Sequence, residues 1–175
     1  MHPLMMEIAP LVRQGYCCSQ LLALLMLEQG GAENPALVRA MQGLCHGIGR
    51  SDGPCGLLTG GACALAALTG KGARHETPHP MLTPLLNEYA GWFYDRVAEY
   101  GGTNCEAIAA GLGATAKEAG GAPDPVACGE LLAECWRSAG TKSGNLSRAT
   151  GWTRRPRVND TPRTRRGRKN RASLF

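Results

Sequence analysis

Eight cysteines in a chain of 175 residues are the side chains best suited to chemistry. Cys18 lies in the first turn of a predicted helix, and Cys55 directly follows Pro54 at the start of another. Cys105 and Cys128 stand just after predicted helix caps. Free backbone N–H groups at a helix N-terminus stabilise negative charge, so a thiolate there is expected to have a lowered pKa. These four cysteines are therefore predicted to be nucleophiles or metal ligands.

The other cysteines have less informative positions. Cys45, Cys63 and Cys135 lie within or near the ends of predicted helices among apolar neighbours, and we expect them in the core. The adjacent Cys17 and Cys18 point about 100° apart on a helix, so at most one of them faces a given site. Cysteines seven or eight residues apart in one helix are separated by about 10–12 Å, which is too far for a disulfide. Any centre must therefore be assembled from different helices, without a local Cys-x-x-Cys knuckle.

Helical periodicity covers most of the chain, and no segment alternates apolar and polar residues as a strand would. The pattern predicts an all-α compact bundle of about six helices, with a glycine-rich loop over 46–53. Two of the helix starts carry a cap followed by proline, at Asn34–Pro35 and Asp124–Pro125. The predicted helical ranges are 3–14 (weak), 17–29, 35–45, 54–69, 81–100, 103–112 and 125–138.

The helix after Cys55 carries a stripe of small residues, Gly56, Gly60 and Ala64, spaced four apart. Each glycine weakens an isolated helix by roughly 1 kcal/mol. A close approach by another backbone, or by a bound group beside Cys55, is the expected compensation.

Charge divides the chain into two parts. Residues 1–140 carry 8 Lys and Arg against 13 Asp and Glu, a net charge of −5, whereas residues 141–175 carry 11 against 1, a net charge of +10. We predict a helical four-cysteine redox domain over 1–140 and a disordered basic tail over 141–175, because the tail has too few large apolar residues to offset its ordering entropy. Such a tail suits weak binding to polyanions, and the alternative is an extension without function.

The sequence predicts a cytoplasmic location. The apolar run Leu21–Leu27 is too short to span a bilayer and follows no basic segment of a secretory signal. Cytoplasmic thiols are kept reduced, so cysteines there favour catalysis, metal binding or redox sensing over static disulfides.

Three motifs, Gly15–Gln20, Cys55–Gly61 and Gly102–Glu106, precede Cys128 along the chain. In this order they resemble the C-GCAxxG-C-C family of redox-active proteins over about residues 12–138. Leu57 stands where the family usually has alanine. The resemblance implies redox activity through four signature cysteines, which correspond by position to Cys18, Cys55, Cys105 and Cys128.

The first functional hypothesis is a dithiol/disulfide redox protein, in which Cys55 attacks and one of the other three signature cysteines resolves. It requires a redox partner protein and would make the chain a thiol-dependent oxidoreductase. The alternative is a metal-binding module whose cofactor, an iron–sulfur cluster or zinc, is held by the same four cysteines. A third hypothesis is a cysteine-rich helical adaptor without chemistry.

Overall fold

A computed structural model describes residues 3–29, 33–113 and 126–150, with side chains as far as Thr141. No strand is present in these ranges, so the predicted all-α bundle is confirmed. No helix within them is both long and apolar enough to cross a membrane. The right-handed helices are α1 (Leu4–Arg13), α2 (Cys18–Gln29), α3 (Pro35–Met41), α4 (Gly56–Thr69), α5 (Leu82–Val97), α6 (Cys105–Gly111) and α7 (Gly129–Thr150), with short 3-10 turns at Gln42–Leu44 and Ala98–Tyr100.

Helix α4 lies at the centre of the bundle and packs against α2, α5 and α7. From α5, the rings of Tyr89 and Phe93 are fully buried against it. The Tyr89 hydroxyl donates to the carbonyl of Leu57 at 2.9 Å, which satisfies its polar end inside an apolar core. The other large, fully buried side chains include Ile8, Leu21, Leu22, Leu65, Ile108, Leu131 and Leu132.

The glycine stripe of α4 is where this helix crosses the start of α2. A methyl group at Gly60 would lie 2.9 Å from the Cα of Ser19, and one at Gly56 would lie 2.6 Å from the Sγ of Cys18. The expected close approach is therefore made by another backbone and by a cysteine sulfur.

The last helix begins and ends later than the predicted range 125–138. Residues 126–128 form a turn, α7 begins at Gly129, and it continues past Gly140 to Thr150. A single glycine costs only about 1 kcal/mol relative to alanine, so it weakens a helix without ending it. The predicted start at Asp124–Pro125 lies outside the described residues, as does the range 151–175. The domain division at residue 140 and polyanion binding by the tail therefore stay predictions.

A left-handed turn occupies residues 46–50, inside the predicted glycine-rich loop. Its five residues have φ between 55° and 68°. Non-glycine residues pay roughly 1–2 kcal/mol each in this region, and such strain clusters at functional sites. The Ser51 hydroxyl closes the turn, lying 3.1 Å from the carbonyl oxygen of Gly47 and 3.0 Å from that of Ile48.

Ile48 gives a direct test of this conformation. Its side chain is 49% exposed, and its φ is 57°. Replacing it with glycine should raise the free energy of unfolding by about 1 kcal/mol, because a β-branched residue is disfavoured in the left-handed region. The control Ala67→Gly, at an exposed right-handed position of α4, should lower it by about 1 kcal/mol. Urea unfolding measures both, and a loss of stability in Ile48→Gly would contradict the strain.

Candidate functional site

Cys17 and Cys18, at the start of α2, face different groups, as their helical spacing predicts. Cys17 is paired with Cys45 at a Cα–Cα separation of 6.1 Å, within the range of disulfides. Cys18 instead lies against Gly56 of α4. We refer to Cys17 and Cys45 as the disulfide pair. The second group is called the thiol cluster and consists of Cys18, Cys55, Cys105 and Cys135.

Cys55 and Cys105 are set side by side by a short antiparallel contact between the segments before α4 and α6. The N–H of Cys55 donates to the carbonyl of Thr103 at 2.9 Å, and the N–H of Cys105 donates to that of Gly53 at 3.1 Å. The Asn104 side chain caps α6. Two helix starts are thus joined, each with a cysteine at its beginning.

Cys18 is the common neighbour of these two cysteines. A thiolate on any one of the three would repel a thiolate on the others. The backbone N–H groups of His46, of Ser19 and of Cys18 itself act to lower the pKa of the Cys18 thiol, against the larger effect of burial. His46 is the first residue of the left-handed turn, so that strained turn supplies one of the three donors.

Cys135 also belongs to this cluster, although the sequence predicted only a core position for it. It is fully buried, as expected. The Tyr89 hydroxyl acts to lower the pKa of its thiol, and a charge on its sulfur would interact with Cys18 and Cys55. No local signal distinguishes Cys135 in the sequence, because its place depends on how α7 packs against α4 and α5.

Cys128 and Cys63 are not members of the thiol cluster. Cys128, the fourth predicted site residue, is half-buried in the turn before α7, about 10 Å along the helix axis from Cys135. Its neighbour Gly129 packs against Met5 of α1. Cys63 was expected in the core, and this is wrong because α4 leaves that position exposed to solvent.

Burial raises the thiol pKa values in the cluster, so the lowering predicted from helix N-termini is wrong for Cys18, Cys55 and Cys105. The pKa of Cys105 rises to about 11 and that of Cys135 to about 12, first through burial and then through neighbouring negative charges. Burial also raises the pKa of Cys18 and of Cys55. Backbone N–H groups act in the opposite direction but do not outweigh burial, and the thiols are neutral at pH 7.

Alkylation of the fully reduced protein checks this. The rate at half-buried Cys105 should keep rising with an apparent pKa near 11, whereas an unperturbed thiol levels off above about 8.5. The same shift predicts that stability is complete below the unfolded-state pKa and falls as pH rises through the folded-state values. A small free thiol in the same assay is the control, and matching pH profiles would contradict the burial effect.

Ser19 and Gln20 are buried polar residues that hold the disulfide pair, and the sequence did not predict a role for them. The Gln20 side-chain oxygen accepts the N–H of Cys17 at 3.3 Å, as in a capping box. The Ser19 hydroxyl lies 2.9 Å from the Sγ of Cys45 and donates to the carbonyl of Met41 at 2.8 Å. A signal was available, because these two polar residues are followed by seven apolar residues, Leu21–Leu27, which is typical of a buried helix segment.

Among the described residues, no three His, Cys, Asp or Glu side chains are arranged to hold a metal ion.

The comparisons with known proteins agree with the resemblance in the sequence. A family model described as "Putative redox-active protein (C_GCAxxG_C_C)" matches residues 16–141. No curated protein and no solved structure matches the chain. The matched range contains all eight cysteines and covers well over half of the sequence. The chain therefore belongs to the C_GCAxxG_C_C family.

Proposed function

We propose that the protein carries out thiol–disulfide exchange with its thiol cluster. The observation that carries this proposal is that Cys18, Cys55 and Cys105 converge from the starts of three helices. Joining two of these neighbouring thiols in a disulfide removes two electrons. The family assignment supports redox chemistry in general, and the cluster supports this form of it.

Within the cluster, we assign Cys105 as the first sulfur to react, in place of Cys55. Cys55 is only 5% exposed, whereas Cys105 is half-buried at the start of a short helix. Cys18 is assigned as the resolving cysteine because it neighbours both of the others, and backbone N–H groups of His46, Ser19 and Cys18 favour its charged form. These donors stabilise the negative charge that develops on Cys18 as it attacks.

The exchange balances with the disulfide of a partner protein as oxidant. The Cys105 thiolate attacks one partner sulfur, forming a mixed disulfide, and the other partner sulfur leaves as a thiolate. Cys18 then attacks the Sγ of Cys105, and the first partner sulfur leaves in turn. Two electrons pass to the partner, and the two protons lost by Cys18 and Cys105 end on its thiols.

Disulfide mapping tests the proposal. The fully reduced protein is oxidised with glutathione disulfide, blocked and digested, and its disulfides are identified by mass spectrometry. We expect a Cys18–Cys105 disulfide in addition to the Cys17–Cys45 pair. The same mapping shows whether Cys128, the fourth predicted site residue, forms a disulfide. Metal and acid-labile sulfide in anaerobically purified protein, with these thiols unreactive, would overturn the proposal in favour of a metal-binding module. No disulfide beyond Cys17–Cys45 and no metal would favour an adaptor without chemistry.

A further inference from the structure

A cleft of about 500 Å³ opens between α2 and α3, on the side of α2 that carries the disulfide pair. Tyr16, Leu24 and Val38 provide apolar wall, and Glu33 and Arg39 place one negative and one positive charge at its edge. Apolar walls with a few convergent polar groups are typical of small-molecule sites.

Gln20 connects this cleft to the disulfide pair. Its side chain lines the cleft, and its amide nitrogen donates to the carbonyl of Val38 at 3.2 Å. Its side-chain oxygen lies 3.3 Å from the Sγ of Cys17. The Ser19 hydroxyl lies closer to the Sγ of Cys45, at 2.9 Å, than to that of Cys17, at 3.7 Å, and the other neighbour of Cys45 is the carbonyl of Met41. Cys17 is thus the sulfur next to the cleft lining.

We propose that the disulfide pair is a second redox site, reduced by a low-molecular-weight thiol bound in the α2–α3 cleft. The thiol carries an ammonium group and a carboxylate, complementary to Glu33 and Arg39. This inference rests on a redox role for the chain but not on exchange at the thiol cluster.

In this reaction the small thiol attacks the Sγ of Cys17, and Cys45 is the leaving group. A bound thiolate forms a bond to the Sγ of Cys17, the bond between Cys17 and Cys45 breaks, and its electron pair goes to the Sγ of Cys45. A second small thiolate attacks the sulfur of the first, which forms a small-molecule disulfide and releases Cys17 as a thiolate. Two small thiols are oxidised, the protein disulfide is reduced, and the protons pass to the two cysteines.

Ser19 acts as a positioning residue in this reaction. Its hydroxyl lies 2.9 Å from the Sγ of Cys45 and can turn from the carbonyl of Met41 to donate to the departing thiolate. A hydrogen bond to a charged group is stronger than one between neutral groups. Removing the hydroxyl should therefore slow the release of Cys45.

Trapping variants test the direction of attack. Reduced Cys45→Ser and Cys17→Ser proteins are incubated with glutathione disulfide, and glutathione on the remaining cysteine of the pair is followed by mass spectrometry. We expect Cys17 to be modified at least about tenfold faster than Cys45. Arg39→Ala in the Cys45→Ser background should slow the modification at least about threefold, whereas the control Arg137→Ala, exposed on α7, should not. Equal rates at the two cysteines, or no effect of Arg39→Ala, would overturn the proposal.

The Ser19→Ala variant gives a second readout on the native disulfide. Its reduction by glutathione should slow by about tenfold, the effect of losing a hydrogen bond to a charged group. An unchanged rate would remove Ser19 from the reaction. These assays follow only Cys17 and Cys45, so their result is independent of whether Cys18 and Cys105 cycle.

Discussion

Replacing Gly56 with alanine should destabilise the protein and disturb the thiol cluster at the same time. The new methyl group would lie 2.6 Å from the Sγ of Cys18 and 3.0 Å from the carbonyl oxygen of Leu44. Overpacking of this kind costs about 1–3 kcal/mol, and it opposes the gain of about 1 kcal/mol from removing a glycine within a helix. Urea unfolding should show the net loss, and alkylation of Cys18 in the folded protein should become faster.

Gly91→Ala is the matched control for this substitution. Gly91 lies on the exposed face of α5, and a methyl group there would have no atom within 4 Å. The change should raise the free energy of unfolding by about 1 kcal/mol, because only the helix propensity differs. A Gly56→Ala protein stabilised to the same extent would mean that α2 and Cys18 do not approach α4 as closely as described.

The second large effect is expected at Cys18. Replacing it with serine should abolish the disulfide involving Cys105 and reduce cycling with glutathione disulfide by at least about 100-fold, since no resolving sulfur remains at that position. The substitution is nearly isosteric, so thermal stability should change little. Rates of thiol loss, with mapping of the products, measure the effect.

Cys63→Ser is the control for a cysteine that is present but outside the cluster. Cys63 is exposed on α4 and has no assigned role in the exchange. Its replacement should leave the cycling rate unchanged. If Cys63→Ser abolished cycling and Cys18→Ser did not, solvent accessibility alone would determine which thiol reacts. The thiol cluster would then not be the site of exchange.

The helix starts could be predicted from sequence because their signals are local. Asn34 accepts the N–H of Leu37 at 3.0 Å and is followed by a proline at the first helical position, as its pattern indicated. Cys18, Cys55 and Cys105 stand within one residue of the start of α2, α4 and α6. The all-α fold and the placement of three site cysteines therefore followed from caps, prolines and helical periodicity.

The remaining features of the site depend on contacts between distant segments. Cys45 is buried as predicted, but its pairing with Cys17 spans 28 residues and depends on how α3 and the following turn pack on α2. The left-handed turn also depends on tertiary contacts, since a methyl group at Gly47 would lie 2.7 Å from the carbonyl oxygen of Gly53 and 3.0 Å from the Cβ of Cys105. The thiol pKa values also depend on distant segments. Burial by the whole bundle raises them by more than the local helix N-terminus lowers them.

The central claim is that the thiol cluster exchanges two electrons as a dithiol and a disulfide. A redox titration of the Cys17→Ser/Cys45→Ser protein in glutathione buffers, with free thiols counted at each potential, tests it most directly. We predict the reversible loss of two thiols in a single two-electron step, with Cys18 and Cys105 recovered as the linked pair. A thiol count that does not change with potential, or the loss of thiols only as separate mixed disulfides, would contradict the claim.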